Sequence, residues 1–496
     1  MPSGIPSWPR EAAFLIAETA LRDPASYAVG GAVRDLLLGR EIHDLDIASF
    51  EAETLSKKIA RHLKAKLIVL DDENIVFRMI LNSNYKIVRQ IDIAQIQGKT
   101  IEEDLSRRDF TINAMALSVN GGDLIDPRGG RKDLERKTLR SESEEILRDD
   151  PLRILRAFRI AAQLDFKIDQ ATLQKIKKTR KFIDQPAGER IQSELMALLE
   201  IPGSSIWLKV MDEIGALTAL FKELGPCRKT AVEYYGKGGV LNHCLETAAR
   251  ADFLLSHLNE VFPMHDQSVQ KRLDAEAQKP SQRALIVLAA LLHDISKPET
   301  ARFVKGRLHF FGHDSIGSQK AVRVLEKLRF SKEQISVVKA ATLHHLRAGY
   351  LAEAPMITER AVYRFFRDVK DHAIPVLLAS WADHASYLPA KRIPSVLPLC
   401  SKNVGQGLAS LKPIALRKTV KHLQTVSFLM RRFLDLEKKV VPNPLINGND
   451  VMKILKIVPG PVVGKILEKM REAQATGKIK TREDALIFLK RKQKTF

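Results

Sequence analysis

Cysteine is scarce. The 496 residues hold three, Cys227, Cys244 and Cys400, widely spaced, odd in number and without a CxxC pair. That excludes a disulfide framework and a thiolate zinc site. Aromatic residues make up 6% of the chain and form no RNP-like strand signature, so an RNA-stacking sheet is not expected. Long apolar runs are missing too: the longest clean one, Ala284 to Leu292, has nine residues, far short of a membrane span. The amino terminus, MPSGIPSWPR, lacks the basic segment and apolar core of a secretion signal, which predicts a cytoplasmic protein with no membrane partner. Acidic residues are the minority, 59 against 80 Lys and Arg, and the net charge of +21 suits a polyphosphate partner. The chain is also too long for one core, and two to four domains are expected.

What is present concentrates first in Tyr27 to Phe50, YAVGGAVRDLLLGREIHDLDIASF. The pattern predicts a short strand, a Gly30-Gly31 turn, a helix from Val33 to Leu38 ended by Gly39, and a second strand carrying Asp44 and Asp46. Strand side chains alternate faces, so carboxylates two apart project from one side and can hold divalent cations between them. A helix opened by two glycines offers unpaired N–H groups to phosphate, with Arg34 one turn in. Alone, a Gly-Gly turn or a DxD on a strand is ordinary; together and in this order they outline a nucleotidyl-transfer site.

Upstream, residues 1 to 22 read as an opening helix with Ala12, Phe14, Leu15, Ile16 and Leu21 apolar. Downstream, Leu67–Leu70, Ile75–Leu81 and Tyr85–Ile93 read as strands of a small mixed sheet, the last two joined as a hairpin through Asn82–Asn84. Asp92 lies on the third strand, either as a further carboxylate near the Asp44/Asp46 pair or as a solvent-facing strand residue. Ile101 to Leu117 reads as a helix presenting Arg108 and burying Phe110, Ile112 and Met115, with Asn113 in need of a polar partner. Leu124 to Arg140 reads as a strand, a Pro/Gly turn and a basic exit. From Ser141 the chain is expected to be helical almost to its end. In DDPLRILRAFRIAAQL, Asp150, Arg153, Arg156 and Arg159 recur every three residues as one stripe, while Ile154, Leu155 and Phe158 turn inward.

These motifs resemble the class II tRNA nucleotidyltransferase and bacterial poly(A) polymerase family of the DNA polymerase β superfamily, through GGAVRD (Gly30 to Asp35), DLD, RRDFTINA (Arg107 to Ala114) and the acidic pair plus xxR formed by Asp149, Asp150 and Arg153. The resemblance implies an α+β protein: a small mixed-sheet, polymerase β-like nucleotidyltransferase head followed by a mostly α-helical neck, an HD domain and a helical tail. It implies Asp44 and Asp46 as the catalytic, Mg²⁺-holding pair. Gly30, Gly31, Arg34, Arg108, Asn113, Asp150, Arg153, Arg156 and Arg159 are implied to bind nucleotide. Asp150 and Arg153 would read the Watson–Crick edge of C or A without a template, and Arg156 and Arg159 would face the triphosphate. The implied partners are CTP, ATP and the tRNA acceptor arm, and the implied activity is addition of C and/or A to the tRNA 3′ end by a two-metal mechanism. Poly(A) synthesis is the alternative within the same chemistry.

One departure bears on the product. Many CCA-adding members carry a longer flexible segment where only Gln95 to Ile101 separates the third strand from the RRD motif. Such loops can gate a switch between two nucleotides, and members without one tend to add only CC.

A second constellation follows: His243, then His293-Asp294 at the end of an apolar helix, His313, His344-His345 and Asp383. The order H…HD…D resembles the HD-domain metal-dependent phosphohydrolases over residues 236 to 390, and implies His243, His293, Asp294 and Asp383 as ligands of a transition metal such as Ni²⁺ or Mn²⁺. From a different class comes the alternative of an HD phosphohydrolase whose transferase half is degenerate. A polar insertion between Phe262 and Arg283 reads as a surface loop. The residues after 390 read as Pro-broken helices, with a Pro-Gly turn at Val458 to Pro461 feeding another helix and a basic end, Lys490 to Lys494. The expected domains are a head at 1–140, a neck at 141–235, the HD domain at 236–390 and an RNA-binding tail at 391–496.

Overall fold

A computed structural model describes residues 5–275, 282–440 and 442–492. The last residues of the basic end and the middle of the polar insertion lie outside these. The chain divides into two compact units, one of Met1–Pro186 with Ile214–Ala219, the other of Ala187–Glu213 with Leu220–Phe496. Among the described residues no helix is long and apolar enough to cross a membrane.

The first unit is built on a six-stranded sheet: β1 (Tyr27–Val29), β2 (Asp44–Ser49), β3 (Lys66–Asp71), β4 (Val76–Ile80), β5 (Gln90–Gln95) and β6 (Ala116–Ser118), in spatial order β3-β4-β5-β2-β1-β6. Only β2 and β5 run parallel; the other pairs are antiparallel, so the sheet is mixed as expected. Alternation sets its two faces. Leu45 and Ile47 of β2 and Ile91 and Ile93 of β5 are at most 1% exposed, which turns Asp44, Asp46 and Asp92 to the opposite face. The helix Ala52–Leu63 packs on the sheet through Leu55, Ile59 and Leu63, spaced by four.

Three local expectations are corrected. The chain between Leu81 and Arg89 is irregular, and β5 begins at Gln90 rather than Tyr85, because the Glu11 carboxylate accepts the N–H groups of Lys86, Ile87 and Val88 at 3.0, 2.9 and 3.0 Å and takes them out of strand pairing. The RRDFTINA stretch is not one helix. A helix capped by Thr100 spans Ile101–Ser106, Phe110 is extended, Thr111–Asn113 form a 3₁₀ turn and β6 follows. Among the described residues the opening helix is shorter than 1–22, spanning Arg10–Ala20; Ala12, Leu15 and Ile16 are buried, and Phe14 and, just beyond the helix, Leu21 are exposed.

The second unit is mostly helical, with one antiparallel hairpin of Ala301–Val304 and Arg307–Phe310. Its centre is Gln282–Leu292, buried on every side from Ala284 to Leu292. An apolar helix without a polar face must be surrounded, and it is, by Gly239–Ser256, Lys332–His344 and Ala373–Ala385. The residues that leave its carboxy end, His293 and Asp294, therefore emerge in the interior of the bundle. The polar insertion contains a helix, Asp266–Ala275, rather than being loop throughout. Pro398 lies within the helix Ile393–Cys400, the helix Ile414–Val440 runs unbroken, and Pro461–Ala475 starts at the Pro-Gly turn.

Candidate active site and metal centre

In the head, a cleft of about 340 Å³ brings the separate motifs together. Gly30, Gly31, Asp46, Asp92, Arg108, Asn113, Asp150, Arg153 and Arg156 all line it; Asp44, Arg34 and Arg159 do not. The helix Gly30–Leu37 starts at the first glycine itself, whose φ is +65°. A Cβ there would lie 3.0 Å from Arg108 Nη1 and 3.3 Å from Asp46 Oδ2, so only glycine lets the backbone pass between cation and carboxylate. Asp104 accepts Arg108 Nε and Nη2 at 3.2 and 3.0 Å. The remaining Nη1 is the one held against the turn.

Asp46 and Asp92 are register partners on adjacent parallel strands. Burial, followed by the charge of Asp92, pushes the Asp46 carboxyl up to about 6, with Arg108 and Arg34 opposing and Asp44 adding to the rise. Asp44 is raised too, by burial and then by Asp92. Ionising these carboxylates close together is costly without added positive charge, and a divalent cation supplies it. The donor set, all carboxylate oxygen, fits Mg²⁺. Asp92 also holds a bidentate pair with Arg78, Nε to Oδ1 at 2.9 Å and Nη2 to Oδ2 at 2.7 Å, a partner that sequence reading missed and that cross-strand register supplies.

A second missed residue is Asp109, buried inside the RRD motif. Its Oδ1 accepts Phe110 N at 2.9 Å and Asn113 Nδ2 at 3.0 Å, and its Oδ2 accepts Arg156 Nε at 3.0 Å. Asn113 Oδ1 in turn accepts Arg34 Nη1 at 2.9 Å, and Arg34 grips Asp35 with Nε and Nη2, both at 2.9 Å. Asn113 thus finds its polar partners in side chains. A continuous chain of bonds joins the Gly30 turn to the helix Leu152–Leu164, which carries Arg153, Arg156 and Arg159 half-buried over a core of Ile154, Leu155 and Phe158. Burial alone would raise Asp109, but the Arg156 charge and the Asn113 bond outweigh it and hold the carboxyl below its ordinary range. Asp150 Oδ1 accepts Leu152 N at 3.2 Å, Arg153 donates to Ile146 O at 3.1 Å, and Arg159 donates to Gln163 Oε1 at 3.1 Å.

In the helical bundle, His243, His293, Asp294, Asp383, His313 and His345 converge, each at most 7% exposed. Four of these are the expected ligands; His313 and His345 join them, while His344 does not. Burial would raise Asp294, but the charges of His293 and Lys297 pull it well below the carboxylate range. Burial, then the charge of His293, lowers His345 to about 4, so this imidazole is neutral near pH 7 and able to act as a ligand. Lys297 ion-pairs with Asp294 and donates to the Tyr235 hydroxyl at 2.7 Å. Asp294 Oδ1 and Oδ2, Asp383 Oδ1 and His313 Nε2 are buried without a well-formed hydrogen bond. Orphaned ligand atoms of this kind, mixed N and O, fit a transition metal.

Comparison with known proteins assigns a domain to each of the two regions. Family profiles match the Poly A polymerase head domain over residues 26–140, an RNA and SrmB-binding site of polymerase A over 165–227, the HD domain over 240–387 and tRNA nucleotidyltransferase domain 2 over 437–489. A CC-adding tRNA nucleotidyltransferase of Thermus thermophilus is 30% identical over 94% of this chain and 93% of its own length. An A-adding tRNA nucleotidyltransferase of Deinococcus radiodurans is also 30% identical, over 94% of this chain and 95% of its own. Among solved structures, the Thermotoga maritima CCA-adding enzyme complexed with tRNA shares the fold, with a TM-score of 0.60 at 22% identity over 97% of this chain and 94% of that one. With near full-length likeness to such enzymes and a head cleft that assembles the matching motifs, the chain belongs to the tRNA nucleotidyltransferase family and is an RNA nucleotidyltransferase with an HD domain.

Proposed function

We propose that this enzyme adds two cytidylates to tRNA 3′ ends, leaving the terminal A to another enzyme. The observation that carries this reading is the segment between β5 and the Ile101–Ser106 helix, which is short and tied down. Ile96 N donates to Ser49 O at 2.9 Å, Gln97 N to Asp104 Oδ1 at 3.1 Å and Lys99 N to Glu103 Oε2 at 2.7 Å. A segment pinned at three points has no freedom to re-aim the base-reading residues after two additions. The CC-adding relative supports it, and the tRNA-specific relatives favour tRNA over poly(A) as the product.

In the reaction, Asp44 and Asp46, with Asp92 beside them, would hold Mg²⁺, which would supply charge neutralisation for the triphosphate and acidify the tRNA 3′-hydroxyl. The Gly30-Gly31 turn and Arg108 orient the phosphates of CTP against Asp46. Asp150 accepts from the cytosine amino group and Arg153 donates to the ring acceptors. Arg156, anchored by Asp109, keeps the reading helix in line with the phosphate turn. The acceptor arm lies along the basic helical neck and tail, in the cytoplasm where tRNA is processed. Purified protein incubated with tRNA lacking its CCA end and single labelled nucleotides tests this: CTP should extend the tRNA by two residues and ATP by none, and efficient A addition after CC would refute the reading.

A second activity is supported by the orphaned atoms of the helical bundle. We infer a metal-dependent phosphohydrolase site at His243, His293, Asp294 and Asp383, acting on phosphate esters. Loss of phosphatase activity on substituting His293 and Asp294 together, with CMP transfer retained, is the expected result.

A further inference from the structure

Between Lys297 and His313 the chain leaves the bundle as the hairpin Ala301–Val304 and Arg307–Phe310. The two most exposed phenylalanines among the described residues stand on it or at its exit, Phe303 at 78% and Phe311 at 63%. Arg302, Lys305 and Arg307 are interleaved with them, and no acidic residue occurs from Thr300 to His313. The turn is tight: Lys305 and Gly306 have φ of +49° and +73°, the two-residue form whose twist matches paired strands. It sets a lysine at the tip.

Strand register separates two faces. Phe303 pairs with Leu308 and Ala301 with Phe310, so these four share one face. Arg302 with His309 and Val304 with Arg307 share the other, and Phe311 stacks on His309 with ring centres 5.1 Å apart. The first face begins at the His/Asp cluster: Lys297, ion-paired with Asp294, has its Nζ 5.2 Å from the centre of the Phe310 ring. Phe303 stands two residues further out, about 7 Å along the strand, or roughly two base-stacking steps of about 3.4 Å. An aromatic face thus leads outward from the cluster, with cations at its edges and tip. That combination serves single-stranded nucleic acid, whose backbone phosphates take the cations and whose bases take the open ring. With one open ring the face is too narrow for a stable protein interface.

We propose that this hairpin face is a stacking platform for single-stranded RNA, with a base on Phe303 and the backbone drawn by Arg302, Lys305 and Arg307. RNA binding here goes beyond the phosphohydrolase reading; the delivery of a phosphorylated RNA end to the His/Asp cluster rests on it. A phosphate at the cluster leaves the nucleosides that precede it at the level of Phe303, so the platform selects a phosphate ester at the end of a strand over a small one.

The test uses the full chain and a ribotrinucleotide with a 3′-phosphate. In the Phe303→Trp variant, stacking quenches the new indole: emission should fall beyond that of the parent as the trinucleotide is added and recover in high salt. In hydrolysis, Phe303→Ala should lower kcat/KM for the trinucleotide relative to p-nitrophenyl phosphate by about tenfold, the loss of one base–aromatic contact. Quenching no greater than the parent's across the titration overturns the platform, whatever the hydrolysis shows. Quenching without hydrolysis of either substrate keeps the platform and overturns the phosphohydrolase reading. Quenching with an unchanged substrate ratio overturns delivery to the cluster. An emission shift that grows with protein concentration without RNA, together with a dimer in sedimentation that Phe303→Ala abolishes, would overturn the proposal and give the face to a second copy of this chain.

Discussion

Asp109→Asn isolates the proposed link between base reading and phosphate binding. Asp109 Oδ1 accepts two N–H groups, from Phe110 and Asn113, so the amide oxygen of the substituted side chain must take that position to keep the 3₁₀ turn. Its NH₂ then faces Arg156 Nε, where the carboxylate accepted at 3.0 Å, and donor meets donor. A hydrogen bond to a charged group contributes about 1.5–3 kcal/mol. The Arg156 side chain is 37% exposed, and solvent screening discounts the loss to about 1–2 kcal/mol. If that energy holds the reading helix only in the reacting complex, single-turnover CMP addition slows about fivefold to thirtyfold. Incorporation of UMP should rise relative to CMP. Unchanged rate and unchanged selectivity would refute the coupling. The pH dependence has a definite sign. The folded-state carboxyl lies below its ordinary value of 3.8, so its stabilisation is present above that pH and is lost as pH falls through the folded value. Thermal denaturation of the Asn variant should therefore be less sensitive to acid than that of the parent.

Three further outcomes follow from the head. Asp46→Ala should reduce CMP transfer by at least about a thousandfold, several kcal/mol of charge stabilisation, while tRNA binding in a filter assay is retained; near-normal incorporation would remove Asp46 from the mechanism. Arg78→Ala frees Asp92 from its bidentate partner and leaves the carboxylates more negative, so half-saturating Mg²⁺ should fall by about twofold to fivefold, and a rise would contradict the electrostatic account. Gly98 has φ +113° and a Cβ there would lie 2.4 Å from Glu103 Oε2, so Gly98→Ala should lower the melting temperature by an amount equivalent to about 1–3 kcal/mol and loosen the segment; detectable A addition after CC is expected from it, and strict CC addition by a destabilised variant would count against the pinned-segment reading.

How much was legible in the sequence depended on whether a feature is set locally. Asp44 and Asp46 share a face because strands alternate, and the buried Leu45 and Ile47 between and beyond them fix which face it is. The Arg153, Arg156 and Arg159 stripe follows from helical spacing over Ile154, Leu155 and Phe158. In RRDFTINA the pattern of Phe110, Ile112 and Met115 suits a buried helix, whereas Asp109 and Asn113 bond each other and the backbone and so favour a turn. A strand from Tyr85 is what the local pattern favours, and its competitor, Glu11, lies more than seventy residues earlier in the chain. Arg78 escaped notice for a related reason: its pairing with Asp92 exists only once β4 and β5 are in register.

The His/Asp cluster of the bundle shows where spacing stops being informative. His344 and His345 are neighbours in sequence and equal as motifs, yet only His345 reaches Asp294. Consecutive helical residues point about 100° apart, so one of any such pair faces the bundle axis and the other is carried off it. Choosing between them requires knowing where the Lys332–His344 helix sits against Gln282–Leu292, a fact of packing. His313 is a different case. It opens its helix after Gly312, at φ +73°, and Phe310 O takes its Nδ1, so a turn rather than a periodic pattern aims the ring at Asp294. The H…HD…D order marks four of these side chains, and the bundle geometry brings His313 and His345 beside Asp294 as well.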